Sequence, residues 1–133
     1  MTQEDKQLLL KDLCGRLPYY GLICQTNKGK GTLISLECSF GEDLVYVDFG
    51  YSQAEEFDLN EDDEVKPYLR PMSSMTEEER KEYLHECDKN DKDALTTPRY
   101  HGTDWLNSHH FDYRGLIEKG LALEAPEGMY KEE

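Results

Sequence analysis

The residues from Gly31 to Gly50, GTLISLECSFGEDLVYVDFG, constrain the fold more than any other stretch. Two runs of alternating apolar and polar residues, 31–40 and 43–50, flank the pair Gly41-Glu42. A two-residue type II′ loop needs a positive φ at its first position, which glycine adopts without steric cost. That loop sets Phe40 opposite Asp43, and then pairs Cys38 with Val45, Leu36 with Val47 and Ile34 with Phe49. Cross-strand partners share a face, so one side of the hairpin is apolar, while Ser35, Glu37, Tyr46 and Asp48 line the other. A one-sided hairpin has to bury its apolar face under other elements. A third run, Tyr20 to Thr26, joins it through NKGK, whose glycine allows more than one loop length. The expected fold is α+β: a three- to four-stranded antiparallel meander with short helices packed on one face.

Helices on both sides of this meander supply the cover. Thr2 with Asp5 three residues later resembles a capping box, and Leu10, Leu13, Cys14 and Leu17 fall on one helical stripe. Gly15 is placed to end that helix in a left-handed cap, and Pro18 prevents its resumption. Thr76-Glu-Glu-Glu79 is a second capping box, opening a helix that runs to about Asp88 with only Tyr83, Leu84 and Cys87 as apolar content. Between the meander and this helix, 65–75 contains two prolines and reads as an extended connector over the surface. Residues 88–102 read as a linker, opening with the solvated DKNDKD.

The closing stretch, 103–130, holds the only Trp and a pair of adjacent histidines. Leu106, His109, His110 and Tyr113 share a helical stripe beside Trp105; Asp112 can cap a further helix carrying Leu116 and Ile117, which Gly120 stops. Leu121, Leu123 and Ala125 then alternate as a half-buried last strand would. Trp105, Leu106, Tyr113, Leu116 and Ile117 are expected to close the apolar face of the meander.

At 133 residues the chain suits a single domain, 1–133, large enough to fold without metal or disulfides. Its four cysteines form no C-x-x-C pair and read as small hydrophobes. The opening MTQEDKQLLL lacks the order of a secretory signal and no apolar run approaches a membrane span, so a cytoplasmic protein without membrane contact is expected. Charge is unevenly spread. Residues 1–30 carry five basic and three acidic side chains, 31–65 carry eleven acidic and none basic, and the remainder ten basic and fifteen acidic, giving −14 in all. Such a surface repels phosphate, which disfavours direct nucleic-acid binding and favours a basic protein partner. The densest part is the acidic loop at about 51–64, YSQAEEFDLNEDDE, with Phe57 and Leu59 at strand-like spacing. It reads as a mobile loop or a short edge strand.

Three segments, LLLKDLCGRLPY, VKPYLRPMSSMTEEER and DWLNSHHFDYRGLIEKGLALEAPEGMY, resemble a group of small uncharacterised proteins of Bacteroidetes and their phages and mobile elements. The resemblance implies a setting, a gut bacterial cytoplasm or its phage, and says nothing about residues with catalytic roles.

Motifs for chemistry are sparse. Asp58, Asn60 and Asp62 stand at positions 1, 3 and 5 of an EF-hand-like loop, but Asp63 occupies the glycine position and Leu69 the place of the bidentate Glu. His85-x-Cys87 and His109-His110 supply metal-ligand types; residues two apart on a helix diverge by about 200°, so a site would need one from each pair plus Asp104 or Asp112. Cys87 or Cys38 beside a histidine shows no nucleophile pattern, and GKGT at Gly29 to Thr32 lacks P-loop spacing. Tyr19, Tyr20, Arg99, Tyr100 and His101 could form an aromatic-basic surface for single strands, against the overall charge. The sequence therefore predicts a non-enzymatic acidic interaction or accessory protein with no cofactor. Its partner-binding residues would be Glu55, Glu56, Asp58, Glu61, Asp62, Asp63 and Glu64. The alternative is a metal-dependent enzyme using histidine and carboxylate ligands; a small component of a larger assembly is a third reading.

Overall fold

The computed structural model describes residues 2–19, 21–39, 42–50, 53–61, 63–88 and 101–130. Most of the expected linker, together with Asp62, Tyr20, Arg99 and Tyr100, lies outside the described residues, as does the first residue of the expected Gly41-Glu42 turn. Among the described residues the chain forms three α-helices and seven strands, in the order α1 (Gln3–Arg16), β1 (Ile23–Thr26), β2 (Gly29–Ser39), β3 (Glu42–Asp48), β4 (Glu55–Asp58), β5 (Val65–Pro71), α2 (Glu77–Cys87), α3 (His101–Ser108), β6 (Phe111–Asp112) and β7 (Leu123–Glu124). The sheet runs β4-β3-β2-β1-β5-β6, with β7 also on β5. Pairing is antiparallel from β4 to β5 and parallel where β6 and β7 join β5. The fold is α+β, with more strands than the three or four expected.

The additional strands have identifiable origins. The connector at 65–75 is extended, as its prolines require, but it lies within the sheet as β5, with Val65, Pro67, Tyr68 and Leu69 buried. Its two prolines lack the ladder donor that sequence reasoning demands of an inner strand. Neighbours share β5 in sections: β1 pairs with Val65–Pro67, β7 with Tyr68 and Leu69, and β6 with Arg70 and Pro71. The acidic run takes the edge-strand form as β4, followed by a 3-10 turn over Leu59–Glu61.

The central hairpin pairs Cys38 with Asp43 and Leu36 with Val45, two residues away from the expected register. A slip of two preserves which side chains share a face, so Leu36 and Val45 remain on the core side. A bulge between Leu33 and Ser35 then reverses the alternation. Leu33 turns inward opposite Val47, whereas Ile34, expected in the core, is 39% exposed.

Helix α1 is capped as expected, with the Thr2 hydroxyl accepting from the Asp5 N–H and the Asp5 carboxylate accepting from the Thr2 N–H. Gly15 lies inside the helix, which continues to a right-handed cap at Leu17. The buried stripe is Leu9, Asp12, Leu13 and Arg16, displaced from the expected one, and Cys14 faces solvent. Leu9 and Leu13 pack with Leu22, Leu33, Val45, Val47, Phe57 and Leu69 in the main core. The closing stretch divides between two clusters. Leu116 and Ile117 join the main core, while Trp105 and Leu106 form a second one with Phe111, Tyr83 and Tyr113. α3 stops at Ser108 and His110 takes φ +63, so the helical stripe drawn through His109, His110 and Tyr113 does not exist. Asp112 accepts from the N–H groups of Leu116 and Ile117, capping hydrogen-bonded turns where a helix was expected.

Candidate functional site

Strand alternation decides where the acidic residues go. Phe57 points into the core, so Glu56 and Asp58, its neighbours in β4, lie on the outer face of the sheet, opposite Tyr46 and Leu44. Glu37 on β2 sits on the same face, one diagonal step away, and accepts a hydrogen bond of 3.0 Å from the Tyr46 hydroxyl. Glu42 on β3 adds a third exposed carboxylate to Glu37 and Glu56. The Tyr46 phenol is pushed above its ordinary pKa by the hydrogen bond to Glu37, then by desolvation, then by the charges of Glu37, Glu56 and Glu42. An acidic face with a phenol at its centre thus comes from three strands, and of its exposed carboxylates only Glu56 belongs to the 55–64 strip.

The rest of the strip is divided. Glu55 forms an ion pair of 2.7 Å with Lys28, and Glu64 one of 3.3 Å with Lys66. Asp58 Oδ1 accepts from the Asn60 N–H and Asp63 Oδ2 from the Asp58 N–H, both at 2.8 Å, so these carboxylates hold the turn after β4. Glu61 is exposed. Asp63 and Glu64 also border a groove of about 500 Å3 floored by Leu9, Leu59 and Leu121 and rimmed by Lys6, Lys66 and Lys119.

The histidines and cysteines considered as ligands are placed apart. His85 and Cys87 are exposed on α2. His109 stacks on Trp105 with ring centres 4.0 Å apart, and its Nδ1 lies 2.9 Å from the Trp105 carbonyl. His110 lies against Tyr130, also at 4.0 Å. Burial, followed by the charges of Arg16, His109 and Arg70, lowers the His110 pKa to about 4. Among the described residues no three His, Cys, Asp or Glu side chains gather as a metal site would need. Trp105 is 6% exposed and its indole N–H donates to Glu82 at 3.1 Å, so it is a packing residue of the second core.

Sequence reasoning missed one polar cluster. Asp12 and Arg16, both fully buried, form an ion pair of 2.8 Å on the core face of α1. Arg114 joins Asp12 Oδ1 at 2.9 Å, and Arg16 Nη2 donates to the Phe111 carbonyl at 2.6 Å. The signal was the i, i+4 spacing of Asp12 and Arg16, on the stripe that also holds Leu9 and Leu13. Burial, then the charge of Asp12, pushes the nearby Cys24 thiol up to about 12.

Comparison with known proteins finds no matching family model, no matching curated protein and no matching solved structure. No helix among the described residues is long and apolar enough to cross a membrane.

Proposed function

We propose that the protein is a non-enzymatic acidic interaction factor whose outer sheet face, at β2, β3 and β4, binds Lys or Arg side chains of a basic protein. One observation carries this reading: Glu37, Glu42 and Glu56, from three adjacent strands, bear on Tyr46. A cation there would meet carboxylates for charge-assisted hydrogen bonds and a phenol ring for cation–π contact. The net charge of −14 steers basic partners toward the chain and disfavours phosphate backbones. Glu56 and Glu61 extend the surface, whereas Glu55, Asp58, Asp63 and Glu64 act mainly through the field they add, their near contacts being internal. If the protein is phage-borne, as its resemblance to small proteins of Bacteroidetes and their phages suggests, the basic partner is a host protein in a bacterial cytoplasm.

Titration of the 15N-labelled protein with a Lys-rich peptide tests the proposal. Shifts centred on Tyr46, Glu37 and Glu56, lost in Glu37→Lys/Glu56→Lys while the rest of the spectrum stays folded, support it; undiminished binding by that variant refutes it. Elemental analysis decides the rival. Stoichiometric zinc, manganese or iron in the purified protein would replace this reading with a metal-dependent enzyme.

A further inference from the structure

The buried cluster at the end of α1 is not balanced. Arg16 and Arg114 bring two positive charges to the single carboxylate of Asp12, and Arg16 is 0% exposed. Four of the hydrogen-bonding demands are met: Nε and Nη2 of Arg16 reach Asp12, Nη2 also reaches the Phe111 carbonyl, and Arg114 Nη1 reaches Asp12. Two buried atoms have no hydrogen-bond partner among the described residues, Arg16 Nη1 and His110 Nδ1. Arg16 is bonded to the carbonyl of Phe111, the residue that follows His110, and its charge bears on the His110 ring. A buried N–H of a charged guanidinium without an acceptor is costly, and native interiors supply one. His110 is the described non-glycine residue with positive φ, at +63, a conformation uncommon for residues with a side chain and one that aims the imidazole at Tyr130.

We propose that the corner between Arg16 Nη1 and His110 Nδ1 binds a small monovalent anion such as chloride. The anion accepts from Arg16 and from the imidazole with its proton on Nδ1, and it cancels the surplus positive charge. A water molecule could accept the same bond but would leave the cluster charged, which in a buried setting is the larger cost. Arg114, with its side chain 19% exposed, is the member of the cluster in contact with solvent and marks the entry side. The charged and titratable groups that bear on His110 are Arg16 from α1, Arg70 from β5 and His109 beside it, with Tyr130 tilted against the ring. Their cationic members all oppose a proton on the ring, and a bound anion offsets them. Binding therefore strengthens as pH falls toward the His110 pKa.

Thermal unfolding of the full chain in sodium chloride against sodium gluconate, at constant ionic strength, reads the effect. The melting temperature should rise saturably, by roughly 5 °C once chloride is tenfold above its dissociation constant. Equal melting temperatures in the two salts overturn the proposal. Arg114→Gln removes the surplus charge without touching Nη1 and should weaken the chloride effect at least tenfold in midpoint; an unchanged effect identifies general salt behaviour and also overturns it. Crystals grown with bromide give the direct test. An anomalous peak within hydrogen-bond distance of Arg16 Nη1 supports the site, and ordinary water density there refutes it.

Discussion

Asp12 and Arg16 are joined by two hydrogen bonds, of 2.8 and 3.1 Å, across one turn of α1, and neither residue is exposed to solvent. Removing one partner strands the other in the core. Asp12→Ala should therefore destabilise by about 3 to 5 kcal/mol, the usual cost of an uncompensated buried charge, measured by urea unfolding. Replacing both residues with apolar ones of similar size should cost much less; a double variant as unstable as Asp12→Ala would show that the pair itself, and not the orphaned arginine, carries the stability.

Acid should unfold the protein in two stages. Glu79 meets Arg70 through two contacts of 2.7 Å, tying α2 to β5, and this pairing lowers its carboxyl pKa from the usual 4.5 to about 2. A depressed carboxyl stabilises the fold above pH 4.5, and that contribution is lost as pH falls from 4.5 toward 2. His110 acts earlier. Its folded pKa near 4, below the usual 6.5, means the unfolded chain takes up the proton first, so stability falls between pH 6.5 and 4. Unfolding free energies at pH 7.5, 5.5 and 3 separate the two. Glu79→Gln should flatten only the lower stage, and His110→Asn, which tolerates the left-handed backbone, only the upper.

Gly31→Ala tests the closeness of the central strands. A β-carbon there would stand 2.4 Å from Val47 Cγ1 and 2.8 Å from the Asp48 carbonyl oxygen. Backbone cannot yield as a flexible side chain can, so the substitution should cost about 1 to 3 kcal/mol as overpacking. A melting temperature equal to wild type would contradict the pairing at this point of β2.

Thiol chemistry offers a quick check on which face of each element is buried. Cys14, Cys38 and Cys87 are exposed and Cys24 is buried with its pKa raised to about 12. With an aromatic disulfide reagent at pH 8, three thiols should react in the native protein and the fourth only on unfolding. Rapid reaction of all four would place Cys24, and with it β1, at the surface.

Local chemistry alone determined much of this protein. The two capping boxes at Thr2 and Thr76, the antiparallel hairpin of β2 and β3 and the extended geometry around Pro67 all follow from hydrogen bonds or dihedral limits within a few residues. Tertiary packing decided the rest. Nothing near Pro67 or Pro71 indicates that β1, β6 and β7 will share β5 in sections, and nothing near Ile34 announces the bulge that turns Leu33 inward. The acidic strip illustrates the same division for the candidate site. Its charge was evident from composition, but whether a carboxylate faces solvent, caps a turn or meets a lysine depends on what lies opposite it. So Glu56 joins Glu37 and Tyr46, while Asp58 and Asp63 hold a turn. Asp12 and Arg16 were on view at helical spacing throughout, yet an i, i+4 ion pair ordinarily belongs to a solvated face. Only the arrival of Phe111 and Arg114, about a hundred residues further on, makes burying it possible, because they supply the hydrogen bonds that water would otherwise provide.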